Sequence, residues 1–172
     1  GGTILIDDGV FRRQKIDSQT AMIIAESAAK IWLGNAVQIS GEGYGVIREG
    51  LPRFIATQFI EQKYGKDVAD VERLRQRTAY AAVAKRDAPL NIVSPIDDYY
   101  FPSNANKGAM IWRLLARAVG QNEFFEKIRT NSEDKNLQLS ELRAAFSAQK
   151  EILDYLFDQV TDLNLLVGLP QV

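Results

Sequence analysis

The apolar positions of the chain recur at helical spacing over most of its length, and a short β-branched run stands near the start. Thr3-Ile4-Leu5-Ile6 is a short β-branched run closed by Asp7, Asp8 and Gly9, which predicts a strand and a turn. Residues 10–15 read as a connector. Asp17 or Ser18 is placed to cap a first helix, accepting from the free N–H groups of its first turn. That helix is expected to run to about Leu33 and stop at Gly34-Asn35. Ala21, Met22, Ile23, Ile24, Ala25, Ala28, Ala29, Ile31, Trp32 and Leu33 leave it apolar on nearly every side, the pattern of a buried helix.

Residues 36–45 carry three glycines and little periodicity, so they read as a loop with a short strand at 37–39. A second helix is expected over 46–64, with Ile47, Leu51, Phe54, Ile55 and Phe59 on its core face and Gly65 at its end. Pro52 requires that helix to start late or bend. Asp67 is read as the cap of a third helix over 68–85, with Val71, Leu74, Thr78, Ala81 and Ala82 inward and Glu72, Arg73, Arg75 and Arg77 on a solvated face. Residues 86–102 hold three prolines and form a long irregular segment, where Tyr99, Tyr100 and Phe101 read first as packing and second as the wall of a cleft. Ser103 or Asn104 would cap a helix over 106–119, with Met110, Ile111, Leu114, Leu115 and Ala118 as its stripe. A short helix follows at 122–130, bearing Phe124, Phe125 and Ile128. Residues 130–139 read as a polar loop, Ser140 as the cap of a helix over 141–148, and 152–160 as the last helix. The fold class is mainly α in a single domain. Residues 1–15 supply a β element and connector, 16–162 a helical body, and 163–172 an exit segment that can pair as a strand.

Composition narrows the chemistry. A chain of 172 residues can bury a real core. Its 21 basic and 22 acidic residues balance, which gives no electrostatic case for nucleic acid or an anionic membrane. No apolar run reaches the length of a membrane span, and no signal peptide is visible. The Gly1-Gly2 start reads as a cut fragment, so localisation stays open. There is no cysteine, which excludes disulfides and thiolate chemistry. There is no histidine either, which removes the usual general base and the commonest metal ligand. Zinc sites rely on His or Cys.

The polar residues of the first helix are few. At about 100° per residue, Glu26, Ser27 and Lys30 share one sector of its surface. With Trp32, Gly34 and Asn35 behind them and Glu49-Gly50 further on, this stretch resembles the zinc helix of the aminopeptidase N-like metallopeptidases (gluzincins, with a thermolysin-like catalytic domain). The family carries His-Glu-x-x-His, then Gln-Trp-Phe-Gly-Asn, then at a fixed spacing a liganding Glu in Asn-Glu-Gly. The matching register, which needs no gap, sets Glu26 and Lys30 at the two His, Ser27 at the catalytic Glu, and Glu49 at the third ligand. Asn106-Lys107-Gly108-Ala109 is similar to the family's Tyr-x-Lys-Gly-Ala segment, with Ala105 at the oxyanion Tyr. Leu156 to Val160 with Leu169-Pro170 is similar to the close of the family domain. Gly2 to Asp8 is similar to its substrate-edge strand. The resemblance spans nearly the whole chain and implies the helical part of a larger, multidomain protein.

The departures decide what the resemblance implies. Both His, the general-base Glu and the oxyanion Tyr are replaced, and only Glu49 keeps its type. The expectation is a degenerate, non-catalytic domain with no catalytic residue and no zinc or other cofactor. Glu26, Lys30 and Glu49 are expected to form an ion cluster with Lys30's ammonium at the former zinc position. Its role would be structural, or the binding of a peptide or protein in a remnant cleft, alongside other domains of the same parent chain. Two sharper chemistries fit the residue types. Glu26 and Glu49 could hold Mg²⁺ or Ca²⁺, though Lys30 repels a cation. Ser27 and Lys30 also form a Ser-x-x-Lys pair, in which Lys activates a Ser nucleophile, but the partner motifs of that class are absent. The alternative function is therefore an active peptidase with a non-standard metal site or Ser27 and Lys30.

Overall fold

A computed structural model describes residues 3–12 and 15–160. The expected exit segment at 163–172 lies outside the described residues. The chain is mainly helical: α1 (Asp8–Phe11), α2 (Ser18–Ile31), α3 (Leu51–Tyr64), α4 (Lys66–Ala81), α5 (Gly108–Val119), α6 (Gln121–Thr130), α7 (Leu139–Ala145) and α8 (Lys150–Asp158). Two short strands, β1 (Gln38–Ser40) and β2 (Asn136–Gln138), pair in parallel with Ile39 opposite Leu137. Among the described residues no helix is long and apolar enough to cross a membrane.

Local chemistry sets several boundaries. Asp17 accepts from Thr20 N at 2.8 Å and starts α2. Pro52 sits in the first turn of α3, where its missing N–H costs no helical bond. Gly65, at φ +93°, breaks α3 from α4 and serves as the N-cap of α4, so Asp67 lies inside the first turn rather than capping it. Gln138, not Ser140, caps α7, in a reciprocal pair with Glu141. Residues 130–139, expected as a polar loop, contain β2. Ser103 and Asn104 are not a cap; they are buried in a wide turn before α5.

The N-terminal strand is a correction. Residues 3–7 form no regular element, and the turn becomes the one-turn helix α1. Among the described residues no strand lies beside 3–7 to complete a ladder, and Leu5 is 93% exposed. A β-branched run alone does not make a strand.

The main core lies between α3, α5, α6 and α8. Phe54 meets Phe124 edge-on at 5.4 Å, Phe124 stacks on Phe146 at 5.6 Å, and Trp112 tilts against Phe157 at 5.5 Å. Trp112 Nε1 donates to the Val46 carbonyl at 2.9 Å, which satisfies the one polar atom of a buried indole. A second, smaller core of Ala21, Met22, Ala56, Ile60 and Ala69 joins α2 and α4 to α3.

Two helices face differently from their hydropathy. α2 packs along α3 by one face only, leaving Ile23 65% exposed and Trp32 40% exposed, so it is a surface helix. On α4 the expected inward residues Val71, Leu74, Thr78, Ala81 and Ala82 are exposed, while Arg73, expected on the solvated face, is buried. A polar contact set causes this. Gln76 Nε2 donates to Thr57 Oγ1 at 2.9 Å, and Arg73 bonds both Asp70 and Glu61. Two smaller deviations are Phe59 and Ala118, both on the surface.

Candidate functional site

Three wide, π-type turns converge on one region: Trp32–Ala36 after α2, Val46–Gly50 before α3, and Pro102–Lys107 before α5. Each closes with an N–H reaching five residues back, as Val37 N does to Trp32 O at 3.2 Å. A π turn in an otherwise α-helical segment is uncommon and concentrates at functional sites. These turns carry the residues singled out above: Trp32, Gly34 and Asn35; Glu49 and Gly50; Ala105 and Lys107. The chain thus continues helically through Gly34-Asn35 instead of stopping there.

The turns allow close approach. A Cβ on Gly50 would fall 2.6 Å from the Asn104 carbonyl oxygen and 3.0 Å from Gly108 Cα. A Cβ on Gly108 would fall 2.8 Å from Val46 Cγ2. Glycine at both positions lets the second and third turns touch through their backbones.

Glu26, Lys30 and Glu49 come together at this junction. Lys30 Nζ lies 3.1 Å from Glu26 Oε1 and 2.7 Å from Glu49 Oε2. Both contacts are ionic rather than directional, and no donor is aligned on Glu49 Oε2. Arg53 grips Glu26 with both Nε and Nη2 at 3.1 Å, and its Nη1 donates to Asn106 Oδ1 at 2.5 Å. Arg48 Nε stands 3.8 Å from Glu49 Oε1. The two carboxylates are nearly buried, while Lys30, Arg53 and Arg48 reach solvent. The cluster therefore holds three cations around two carboxylates. Arg53 stands one helical turn beyond Glu49 and is not among the residues the sequence singles out.

Ser27 is half-buried on α2, and among the described residues no hydrogen bond joins it to Lys30, whose ammonium is committed to the two carboxylates. Ala105 is buried in the third turn and brings no polar side-chain atom. Among the described residues no group of three or more acidic side chains forms a metal-binding set. Tyr100 is buried close by; burial first, then the charge of Glu49 and the neighbouring Tyr44, push its phenol up to about 12. Tyr100 thus packs, as does half-buried Tyr99, whereas Phe101 is 62% exposed with its ring edge-on to Tyr100.

A second polar assembly lies behind the third turn. Lys107 is fully buried, with Nζ 2.7 Å from Asp87 Oδ2. Asp87 also accepts from Tyr80 Oη and Ser103 Oγ, both at 2.7 Å, and the ammonium sits 5.4 Å from the Tyr80 ring centre. A cavity of about 330 Å³ opens between the glycine-rich loop 41–45 and residues 91–95. Asn91 borders it with a buried Oδ1 that has no hydrogen-bond partner, while its backbone carbonyl accepts from Gly43 N at 3.0 Å.

The sequence matches no family model, and neither curated proteins nor solved structures give a match.

Proposed function

We propose that the chain is a non-catalytic domain of the aminopeptidase N-like, thermolysin-like type, serving as a scaffold or as a binding surface for peptide or protein. The observation that carries this reading is the seat of Lys30 between Glu26 and Glu49. In the family register these three positions are the zinc ligands. An ammonium held by both carboxylates supplies the positive charge a metal would supply, without its Lewis acidity or its bound water. The donor set does not fit zinc, because two oxygen ligands with a cation between them offer neither nitrogen nor sulfur. Ser27 and Ala105, at the general-base and oxyanion positions, supply neither function.

The wide turns support the same reading. Three of them meet where the register places the reaction centre, and such turns cost backbone hydrogen-bond quality that a purely structural helix has no reason to forgo. The partly exposed cations Lys30, Arg48 and Arg53 leave one positive charge in excess on the open side, suited to a peptide carboxylate.

Metal analysis of the purified chain tests the proposal, followed by zinc titration and assay against fluorogenic aminoacyl and peptide substrates. The expected result is no stoichiometric zinc, no tight zinc binding and no hydrolysis. Stoichiometric zinc would overturn it. So would peptidase activity that Ser27→Ala abolishes, which would make Ser27 the nucleophile of an active hydrolase.

A further inference from the structure

α4 is built inside out. Its buried face carries Arg73, Gln76 and Tyr80, held by polar partners on α3 and in the loop after α4. Its outer face carries Val71, 51% exposed, and Leu74, 55% exposed, continued by the exposed Thr78 and Ala81. These four recur at alternating spacings of three and four residues, the seam of a helix made to pack against another helix. A surface helix normally turns such a stripe inward. Here the inward positions are occupied by polar side chains bonded to α3 and to the loop after α4, so the stripe cannot rotate into the core without breaking the bonds of Arg73 and Gln76.

The charges beside the seam select what covers it. Arg75 and Arg77 lie next to it on opposite sides, the flanking positions that choose partners in paired helices. Arg75 is half-exposed, and its ion pair with Glu72 at 3.4 Å is a surface contact of the weak kind. An antiparallel second copy of α4 would set arginine against arginine, which disfavours that pairing. We propose that the outer face of α4 docks a partner helix with an apolar seam and acidic residues flanking it. The inference goes beyond the peptidase-like reading and does not depend on it. The surface extends onto α2. With the Gln19 amide turned so that its oxygen faces Arg75, that oxygen accepts from Nη2 at 3.0 Å and Nη1 at 2.9 Å. One turn further along α2, Ile23 is exposed.

The test uses the full chain and two synthetic helical peptides about four heptads long, with identical leucine seams flanked by Glu in one and by Lys in the other. Fluorescence anisotropy at low and high salt reads the binding. The expected result is that the Glu-flanked peptide binds at least about tenfold more tightly than the Lys-flanked one, with the preference shrinking as salt screens it. Leu74→Asp should abolish binding while circular dichroism and the melting temperature stay as in the parent, because Leu74 is exposed. Arg75→Glu with Arg77→Glu should reverse the preference. Equal binding of both peptides, or binding of neither, overturns the proposal. So does a concentration-dependent dimer that Leu74→Asp dissolves, which would make the occupant a second copy. Binding to phosphatidylserine vesicles that is lost in Leu74→Asp would make it a membrane surface and overturn it equally.

Discussion

Lys107 Nζ lies 2.7 Å from Asp87 Oδ2 with both side chains sealed from solvent, and the contact ties the irregular segment after α4 to the turn that opens α5. An ion pair without water survives only if its remaining polar atoms are satisfied. Asp87 meets that condition through Tyr80 and Ser103, which cover both carboxylate oxygens. The pair acts as an internal brace. It fixes the turn that bears Ala105 and Asn106, and Asn106 in turn receives Arg53 from the Lys30 cluster.

Removing one member of this brace should cost far more than removing the pair. Lys107→Met leaves the Asp87 carboxylate buried beside two neutral donors, and the expected loss is about 3–5 kcal/mol in urea unfolding. Adding Asp87→Asn should restore much of it, because the amide oxygen still accepts from a hydroxyl. Ser103→Ala removes one donor and should cost about 1 kcal/mol. Equal costs for the single and double changes would mean that the pair contributes by packing alone.

The glycines of the second and third turns make a sharper steric prediction. Gly50→Ala drives a methyl to 2.6 Å from a backbone carbonyl that cannot rotate away. Gly108→Ala meets a side chain, Val46 Cγ2, at 2.8 Å. The first should destabilise by about 2–4 kcal/mol and the second by about 1–3 kcal/mol. Thermal unfolding of the two variants side by side checks the order, and a larger loss for Gly108→Ala would contradict it.

Much of the helical skeleton is legible in the chain because its signals are local. Asp17 opens α2, Gly65 divides α3 from α4, and Gly120, at φ +90°, divides α5 from α6. What is not legible depends on partners distant in sequence. Val71 and Leu74 outweigh Arg73 and Gln76 in hydropathy, yet Thr57 and Glu61 on α3 decide which face is buried. Thr3 to Ile6 has strand composition and no neighbour to pair with. The contact of Glu26 with Lys30 is written in their spacing, one turn apart on a helix. The approach of Glu49 is expected only through its place in the family register; the π turn at Val46–Gly50 that brings it there leaves no residue signature. Asp87 lies in an irregular segment with nothing to announce a buried lysine as its partner.

Asp70 provides a pH-dependent prediction. Hydrogen bonds from Lys66 and then Arg73 hold its carboxyl at about 2, against an ordinary value of 3.8. Since its folded value is depressed, Asp70 contributes stability above about pH 4, and that contribution disappears as pH falls toward 2. The carboxylate is 40% exposed, so solvent screening limits the effect to about 0.5 kcal/mol. Asp70→Asn should therefore be less stable than the parent at pH 6 and indistinguishable from it near pH 2. Urea midpoints across that range would show it, and a constant difference would rule out the linkage.

Lys30 serves two carboxylates that do not depend on it equally. Glu26 keeps a bidentate grip from Arg53 when Lys30 is lost, whereas among the described residues Glu49 keeps only Arg48 at 3.8 Å. Glu49 is also the more buried of the two side chains, so its unpaired charge is the costlier one. Lys30→Met should therefore destabilise by about 1–2 kcal/mol, below the cost of a fully buried pair because the ammonium is itself partly solvated. Glu49→Gln in that background should recover most of the loss. Glu26→Gln should recover nothing and lower stability further, because it strips Arg53 of its charged partner. Double-mutant cycles on the two pairs measure this directly, with the larger coupling expected between Lys30 and Glu49. A larger coupling between Lys30 and Glu26 would mean that the one-turn helical pair dominates and that Glu49 is held by the backbone of its wide turn instead.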